Sequence, residues 1–244
     1  MKYEASNSKY LGLLTEVKEH FSKSTESIYE GRNSLKIIQY AEQNLVAKSF
    51  KVPHIINKIA YTFFRDSKAK KSYIHSIKML EFTPEPIGYI EYFKFGLLAQ
   101  SYYVCKAYKY DFTIREPLVD VHFEHRNEVF KAFARFTYAL HNYNIEHLDY
   151  SPGNILIKER EGGYEFKVID VNRMRFRQLN PVERIENFSK LWARNEDLKM
   201  IATHYATLIE MDKDEAIDIA LKASQKHKDN KNLKKRLKGK KVVD

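Results

Sequence analysis

Apolar residues recur along this 244-residue chain with two periods, and the change of period divides it. Short alternating or continuous apolar runs at Leu35–Tyr40, Leu45–Lys51, Tyr89–Phe95 and Leu97–Val104 predict β-strands, each bounded by polar or turn residues. Between them, Pro53 opens a helical pattern over His54–Phe64, and a second helix is predicted over Lys68–Phe82. Beyond Tyr110 the helical period dominates. Val129, Phe133, Phe136 and Leu140 share one face of a predicted helix over Asn127–His141. Further helices are expected at Asn187–Trp192, Glu196–Met211 and Lys213–Lys226, with Asp212 as an N-cap between the last two. Two strand-like runs, Ile155–Ile157 and Phe166–Ile169, flank the turn Glu161-Gly162-Gly163. Residues 1–30 read as a helix-prone, Ser-rich lead-in, and Thr83-Pro84-Glu85-Pro86 as a rigid connector.

A polar stretch, His147–Ile157 (H-L-D-Y-S-P-G-N-I-L-I), lies between the predicted Asn127–His141 helix and the hairpin that ends in Ile169-Asp170. Helix, loop and hairpin together make a scaffold for bringing Asp149, Asn154 and Asp170 close to one another. Asp149 precedes Asn154 by five residues and Asp170 by twenty-one. A carboxylate that accepts a hydroxyl proton, an amide that holds magnesium and a second carboxylate from the following hairpin form a phosphoryl-transfer set. Magnesium takes oxygen ligands, often one or two carboxylates together with substrate phosphates, so Asn154 and Asp170 are suitable types.

The ordered residues Leu140-His141, His147-Leu148-Asp149, Ser151-Pro152-Gly153-Asn154 and Ile169-Asp170 resemble those of the bacterial lipopolysaccharide kinases. That family phosphorylates Kdo or heptose of the inner core and shares the protein-kinase-like fold. Val46-Ala47-Lys48, Thr83–Ile87 and Asp170–Met174 extend the resemblance over roughly residues 30 to 180. It implies an α+β, bilobal protein-kinase-like fold, with a small β-rich N-lobe at about 1–104, a mainly helical C-lobe at about 105–225 and a basic tail at 226–244. It implies ATP and Mg²⁺ as cofactors and Kdo–lipid A as acceptor. Asp149 would deprotonate the sugar hydroxyl, and Asn154 and Asp170 would hold the metal. In a strand, Val46, Lys48 and Phe50 share a face. Val46 would then lie against adenine while Lys48, with Lys51 as its competitor, reaches the phosphates. Tyr103-Val104-Cys105 is expected at the hinge, offering backbone groups to the adenine edge.

Four departures from the protein-kinase pattern bear on mechanism. There is no G-x-G-x-x-G; Gly31 is the only glycine between Gly12 and Gly88, so phosphate covering would depend on backbone N–H groups around Gly31–Ser34. Where the second helix should supply a glutamate to orient Lys48, the sequence has Ile74 or His75, with Glu81 too late and Asp66 too early. Leu148 stands where an arginine commonly serves a phosphorylated activation loop. After Asp170 there is neither D-F-G nor A-P-E, so the platform for a peptide substrate is missing. That favours a small or glycan acceptor, whose acidic groups Arg173, Arg175 and Arg177 could bind. His147 is read as a structural residue that bonds backbone near Asp170.

Composition adds limits. With 43% hydrophobic and 14% aromatic residues the chain can bury a sizeable core, and 244 residues suit one bilobal domain. A single cysteine, Cys105, allows no internal disulfide and fits a reducing compartment; it is expected to pack rather than react. Of the net charge of +10, residues 226–244 carry nine basic and two acidic side chains (9 − 2 = +7), and the rest of the chain 33 against 30. This run, and the basic amphipathic pattern from His54 to Lys71, could meet an anionic membrane surface. The alternatives are a solvated chain end and a helix packed on the N-lobe. No signal peptide opens the chain and no run of eighteen apolar residues occurs. The expected location is therefore the cytoplasm, or peripherally the inner face of the inner membrane. The basic residues lack interleaved aromatics, so no nucleic-acid partner is expected. A non-catalytic nucleotide-binding scaffold and an atypical protein kinase remain as alternatives.

Overall fold

A computed structural model describes residues 1–31, 33–51, 55–237 and 239. Arg32 of the expected phosphate-covering loop, Pro53 and His54 at the start of the first predicted helix, and residues 238 and 240–244 of the basic run lie outside the described residues. The chain forms two compact units: Met1–Lys109 with Asp170–Asn172, and Tyr110–Ile169 with Arg173–Asp244.

The first unit is built on a six-stranded sheet. Its strands are β1 (Lys2–Ala5), β2 (Ser27–Glu30), β3 (Asn33–Tyr40), β4 (Gln43–Lys51), β5 (Pro86–Lys94) and β6 (Leu97–Lys106), in the order β1-β5-β6-β4-β3-β2. The helices are α1 (Leu11–Thr15), α2 (Val17–Lys23), α3 (Ile55–Phe63) and α4 (Lys68–Lys78). Alternation sorts the strand residues between two cores. Leu45 and Ala47 of β4 and Tyr102 and Val104 of β6 join Leu13, Leu14 and Val17 on one face. Val46 and Phe50 of β4 and Tyr103 and Cys105 of β6 meet Ala69 and Tyr73 of α4 on the other. Lys48 therefore lies on the α4 face.

Residues 1–30 are more than a lead-in, because β1 pairs with β5 along the sheet edge. The strand approaches closely at Gly88, where a Cβ would lie 2.5 Å from the Glu4 carbonyl oxygen. The predicted helix Lys68–Phe82 breaks at Met79, and a 3₁₀ turn, Leu80–Phe82, follows α4.

The second unit contains β7 (Phe112–Thr113), α5 (Arg115–Val119), α6 (Arg126–Asn142), β8 (Ile145–His147), β9 (Ile155–Arg160), β10 (Gly163–Val168), β11 (Met174–Phe176), α7 (Pro181–Glu186), α8 (Asn195–Leu208) and α9 (Lys213–Arg236). Its core forms around α6, which buries Val129, Phe130, Phe133, Ala134, Thr137, Leu140 and His141. Phe136 stacks on Phe166 of β10, with ring centroids 5.1 Å apart. The side chain of Asp212 accepts from Glu215 N–H at 2.9 Å and caps α9, which continues to Arg236 through much of the basic run.

Asp197 at the start of α8 is 1% exposed and is held by Arg126 from α6 and by Arg194 at 3.1 Å. Removing one partner of a buried ion pair leaves an uncompensated charge at a cost of about 3–5 kcal/mol. Asp197→Ala should therefore lower the midpoint of chemical denaturation strongly. A midpoint equal to that of the wild type would show that this pair does not secure α6 to α8.

Candidate active site

In the first unit, Lys48 Nζ lies 2.8 Å from Asp170 Oδ1, so the two residues assigned to the nucleotide phosphates and the metal are brought together. The same oxygen accepts a hydrogen bond from Asn172 Nδ2. Asp170 adopts the left-handed conformation, at φ 57°, which Asp tolerates better than most residues. The following residue is fixed by α4: His75 Nδ1 donates to the Val171 carbonyl at 2.7 Å. A carbonyl can only accept, so the bond places a proton on Nδ1. Burial lowers the pKa of this imidazole. Where a glutamate was sought to orient Lys48, the helix thus supplies a histidine that holds the backbone beside Asp170, and Asp170 itself is the carboxylate that pairs with Lys48.

Val46 is two residues from Lys48 on the same strand face. Gly31 lies in the turn between β2 and β3, where its N–H donates to the Asn33 carbonyl at 3.1 Å and is engaged within the turn. The hinge expectation for Tyr103-Val104-Cys105 is not met. These residues lie inside β6, paired with β4 on one side and β5 on the other, so the sheet uses their backbone groups. The ladder continues to Ala107, whose N–H donates to Asn44 O, and the first unit ends at Lys109. The Tyr103 hydroxyl is 2.8 Å from Ser76 Oγ, and burial pushes the Cys105 thiol up to about 12, as expected of a packing residue.

In the second unit, the loop of Asp149 and Asn154 is tied down at almost every residue. The Asp149 carbonyl accepts from Ser151 N–H at 2.7 Å and from Asn154 Nδ2 at 2.9 Å. This bond fixes the Asn154 amide with its nitrogen toward the loop, which leaves Oδ1 as the atom suited to a metal. His147 Nδ1 accepts from Asp149 N–H at 3.1 Å, and Nε2 donates to the Ile169 carbonyl at 3.0 Å. The ring is therefore the neutral Nε2–H tautomer, occupied on both sides by backbone. Ile169 N–H donates to Asn154 O at 2.9 Å, and the next residue is Asp170.

Residues not singled out in the sequence hold this loop from below. Tyr150 is fully buried, with its hydroxyl 2.8 Å from Thr137 Oγ1 of α6. Asn187 Nδ2 donates to the His147 carbonyl at 3.1 Å, and its Oδ1 accepts from His141 Nε2 at 3.3 Å. The three candidate arginines separate. Arg173 lies 3.3 Å from Asp149 Oδ2, Arg175 is 3.7 Å from Glu146, and Arg177 is bound to Glu146 at 3.3 Å and Glu183 at 2.9 Å. Among the described residues no three His, Cys, Asp or Glu side chains group as a metal cage. Magnesium bound with a nucleotide requires no such cage, since waters and phosphate oxygens complete its shell.

Residues 115–211 match the model of the lipopolysaccharide kinase (Kdo/WaaP) family, and this stretch includes the Asp149–Asn154 loop and Asp170. A solved structure of WaaP in complex with acyl carrier protein aligns with a TM-score of 0.60, covering 93% of this chain and 98% of that one at 12% identity. At that identity the likeness shows the fold. No curated protein matches the sequence. The match spans residues 115–211 of the 244, and with the shared fold, a β-sheet N-terminal region and a mainly helical C-terminal part, it likens the chain to the kinases. Within that class, the match of residues 115–211 is to the lipopolysaccharide kinases, as the residues around Asp149 indicate.

His141, which anchors Asn187 under the loop, has its pKa lowered to about 4 by burial. The unfolded chain, with an ordinary histidine pKa of about 6.5, binds the proton more readily. Stability is therefore full above about pH 6.5 and is lost as pH falls toward 4, by about 2 kcal/mol at pH 5. Denaturant midpoints measured between pH 7 and pH 5 should show this fall, and His141→Asn should flatten it. An equal slope in the variant would remove His141 from the account.

Proposed function

We propose that the protein transfers the γ-phosphoryl group of ATP to a hydroxyl of a lipopolysaccharide inner-core sugar, with Kdo–lipid A as the acceptor. The observation that carries this reading is the Asp149 loop: its backbone is held by bonds at Leu148, Asp149, Ser151 and Asn154, while the Asp149 carboxylate remains over one-third exposed, at 38%. Asp149 orients the sugar hydroxyl and takes its proton as the oxygen attacks the γ-phosphorus. The bond to the bridging oxygen breaks and ADP leaves. Lys48 positions the phosphates, and Val46 packs on the adenine side. Asn154 Oδ1 and the Asp170 carboxylate would hold magnesium, which offsets the charge on the phosphate oxygens when bound. The Lys48–Asp170 pair and the His75 bond favour a catalytic protein over a scaffold, because they give Lys48 a carboxylate partner without the helix glutamate.

General-base catalysis contributes about 10²–10⁴-fold. Asp149→Ala should lower phosphoryl transfer by that order while ATP binding persists. Comparable turnover in the variant would contradict the assignment.

A lipid-anchored acceptor brings the enzyme to the membrane surface, and α3 suits that place. Ile55, Ile56, Ile59, Phe63 and the adjoining Phe64 are all exposed, and the helix buries none of its residues. No acidic residue occurs between Glu42 and Asp66. Among the described residues no helix is long and apolar enough to cross a membrane. An exposed apolar helix face flanked by bases fits an interfacial position on anionic lipid. Anionic liposomes should float the wild type and float the Ile56→Asp/Phe63→Asp double variant less. Failure of the wild type to float would contradict this location.

A further inference from the structure

Among the described residues, pairing of the charges around Asp149 leaves Lys190 without a carboxylate. Arg177 is held by Glu146 and Glu183, Arg175 lies at Glu146, and Arg173 reaches Asp149. Lys190 sits in the 3₁₀ turn Asn187–Leu191, which follows α7. Among the described residues its ammonium has no carboxylate within ion-pair distance and no hydrogen-bond acceptor. It is nevertheless only partly exposed. Taking an ammonium out of water without a partner is costly, so an arrangement of this kind suits a charge supplied by a ligand.

The turn also sets its direction. Side chains three residues apart eclipse in a 3₁₀ helix. Asn187, three residues before Lys190, donates to the His147 carbonyl at 3.1 Å. Lys190 therefore projects on the face that meets the catalytic loop. Burial lowers its pKa; Glu146, Asp149 and Glu186 act in the opposite sense, and Arg175 adds to the lowering.

We propose that Lys190, together with Arg173, forms a binding site for an anionic group of the acceptor, a carboxylate or phosphate carried close to the hydroxyl that Asp149 deprotonates. This rests on the phosphotransferase reading above, which places the acceptor, rather than the nucleotide, at Asp149. Arg173, 3.3 Å from Asp149, would turn to the anion and release Asp149 for the hydroxyl. Arg175 and Arg177, already paired with Glu146, stay outside the site.

The test compares wild type, Lys190→Gln and Lys190→Arg, with thermal melting as a check on folding. With ATP and Kdo–lipid A, Lys190→Gln should raise the acceptor KM by about tenfold, the size of one modest ion pair, and leave the ATP KM unchanged. Lys190→Arg should recover most of the loss. An unchanged acceptor KM in active Lys190→Gln overturns the anion site and leaves the phosphotransferase reading standing. A wild type that transfers nothing to Kdo–lipid A overturns that reading, and the site is then decided separately. Trp192, the only tryptophan in the chain, lies two residues from Lys190 and is 40% exposed. Its fluorescence, titrated with free Kdo and with inorganic phosphate, should change saturably in the wild type and not in Lys190→Gln. A response to Kdo alone identifies a carboxylate site, and a response to phosphate alone a phosphate site. No response to either, or an equal response in Lys190→Gln, overturns the proposal.

Discussion

The contact between Lys48 and Asp170 joins residues 122 positions apart, and the placement of the Asp170 carboxylate depends on it. Asp170–Asn172 belongs to the first compact unit although its chain neighbours on both sides belong to the second. Two bonds hold it there, from the ammonium of Lys48 to the Asp170 carboxylate and from the His75 imidazole to the next carbonyl, and the amide of Asn172 braces the same carboxylate oxygen from within the segment. With side chains 13% and 31% exposed, the ion pair is screened less than a surface pair. The fixed, left-handed backbone at Asp170 turns its carboxylate to Lys48, which lies on the α4 face of its strand by simple alternation.

A second constraint acts inside the helical unit. The loop carrying Asp149 consists of polar backbone over a buried core, and such backbone must find partners. It finds them in His147, in the Asn154 amide and in Asn187, while Tyr150 is sunk into α6 as an anchor. His147 illustrates the economy of the arrangement. Both ring nitrogens bond backbone, one to each side of the pair Asp149 and Ile169, so the ring fixes loop and hairpin together and has no proton to exchange with substrate. The carboxylate of Asp149 is the group left for chemistry.

Much of this was legible in the chain. Asp149 and Asn154 stand out as side-chain types suited to phosphoryl transfer, and strand alternation alone puts Val46 and Lys48 on one face. The apolar run ending at Cys105 does not reveal that strand pairing continues to Ala107. Strand β1, four residues of mixed polarity at a sheet edge, carries no periodic signal, and its partner β5 lies more than eighty residues on. The roles of His75 and Asn187 could not be found from local pattern, since each bonds a group far away in the chain. The absence of a helix glutamate is legible in the sequence; that His75 stands in α4 and bonds the Val171 carbonyl is not. A fold by itself selects no acceptor, so the acceptor must be argued from the charges around Asp149.

The most direct test of the account is calorimetric titration of ATP into the wild type and into Asp170→Asn, each with and without magnesium. The account predicts that wild-type binding strengthens markedly with magnesium, and that Asp170→Asn loses this strengthening while remaining folded. Binding that is indifferent to magnesium in the wild type, or equally magnesium-dependent in Asp170→Asn, would contradict the role of the Lys48–Asp170 pair in holding the nucleotide and its metal.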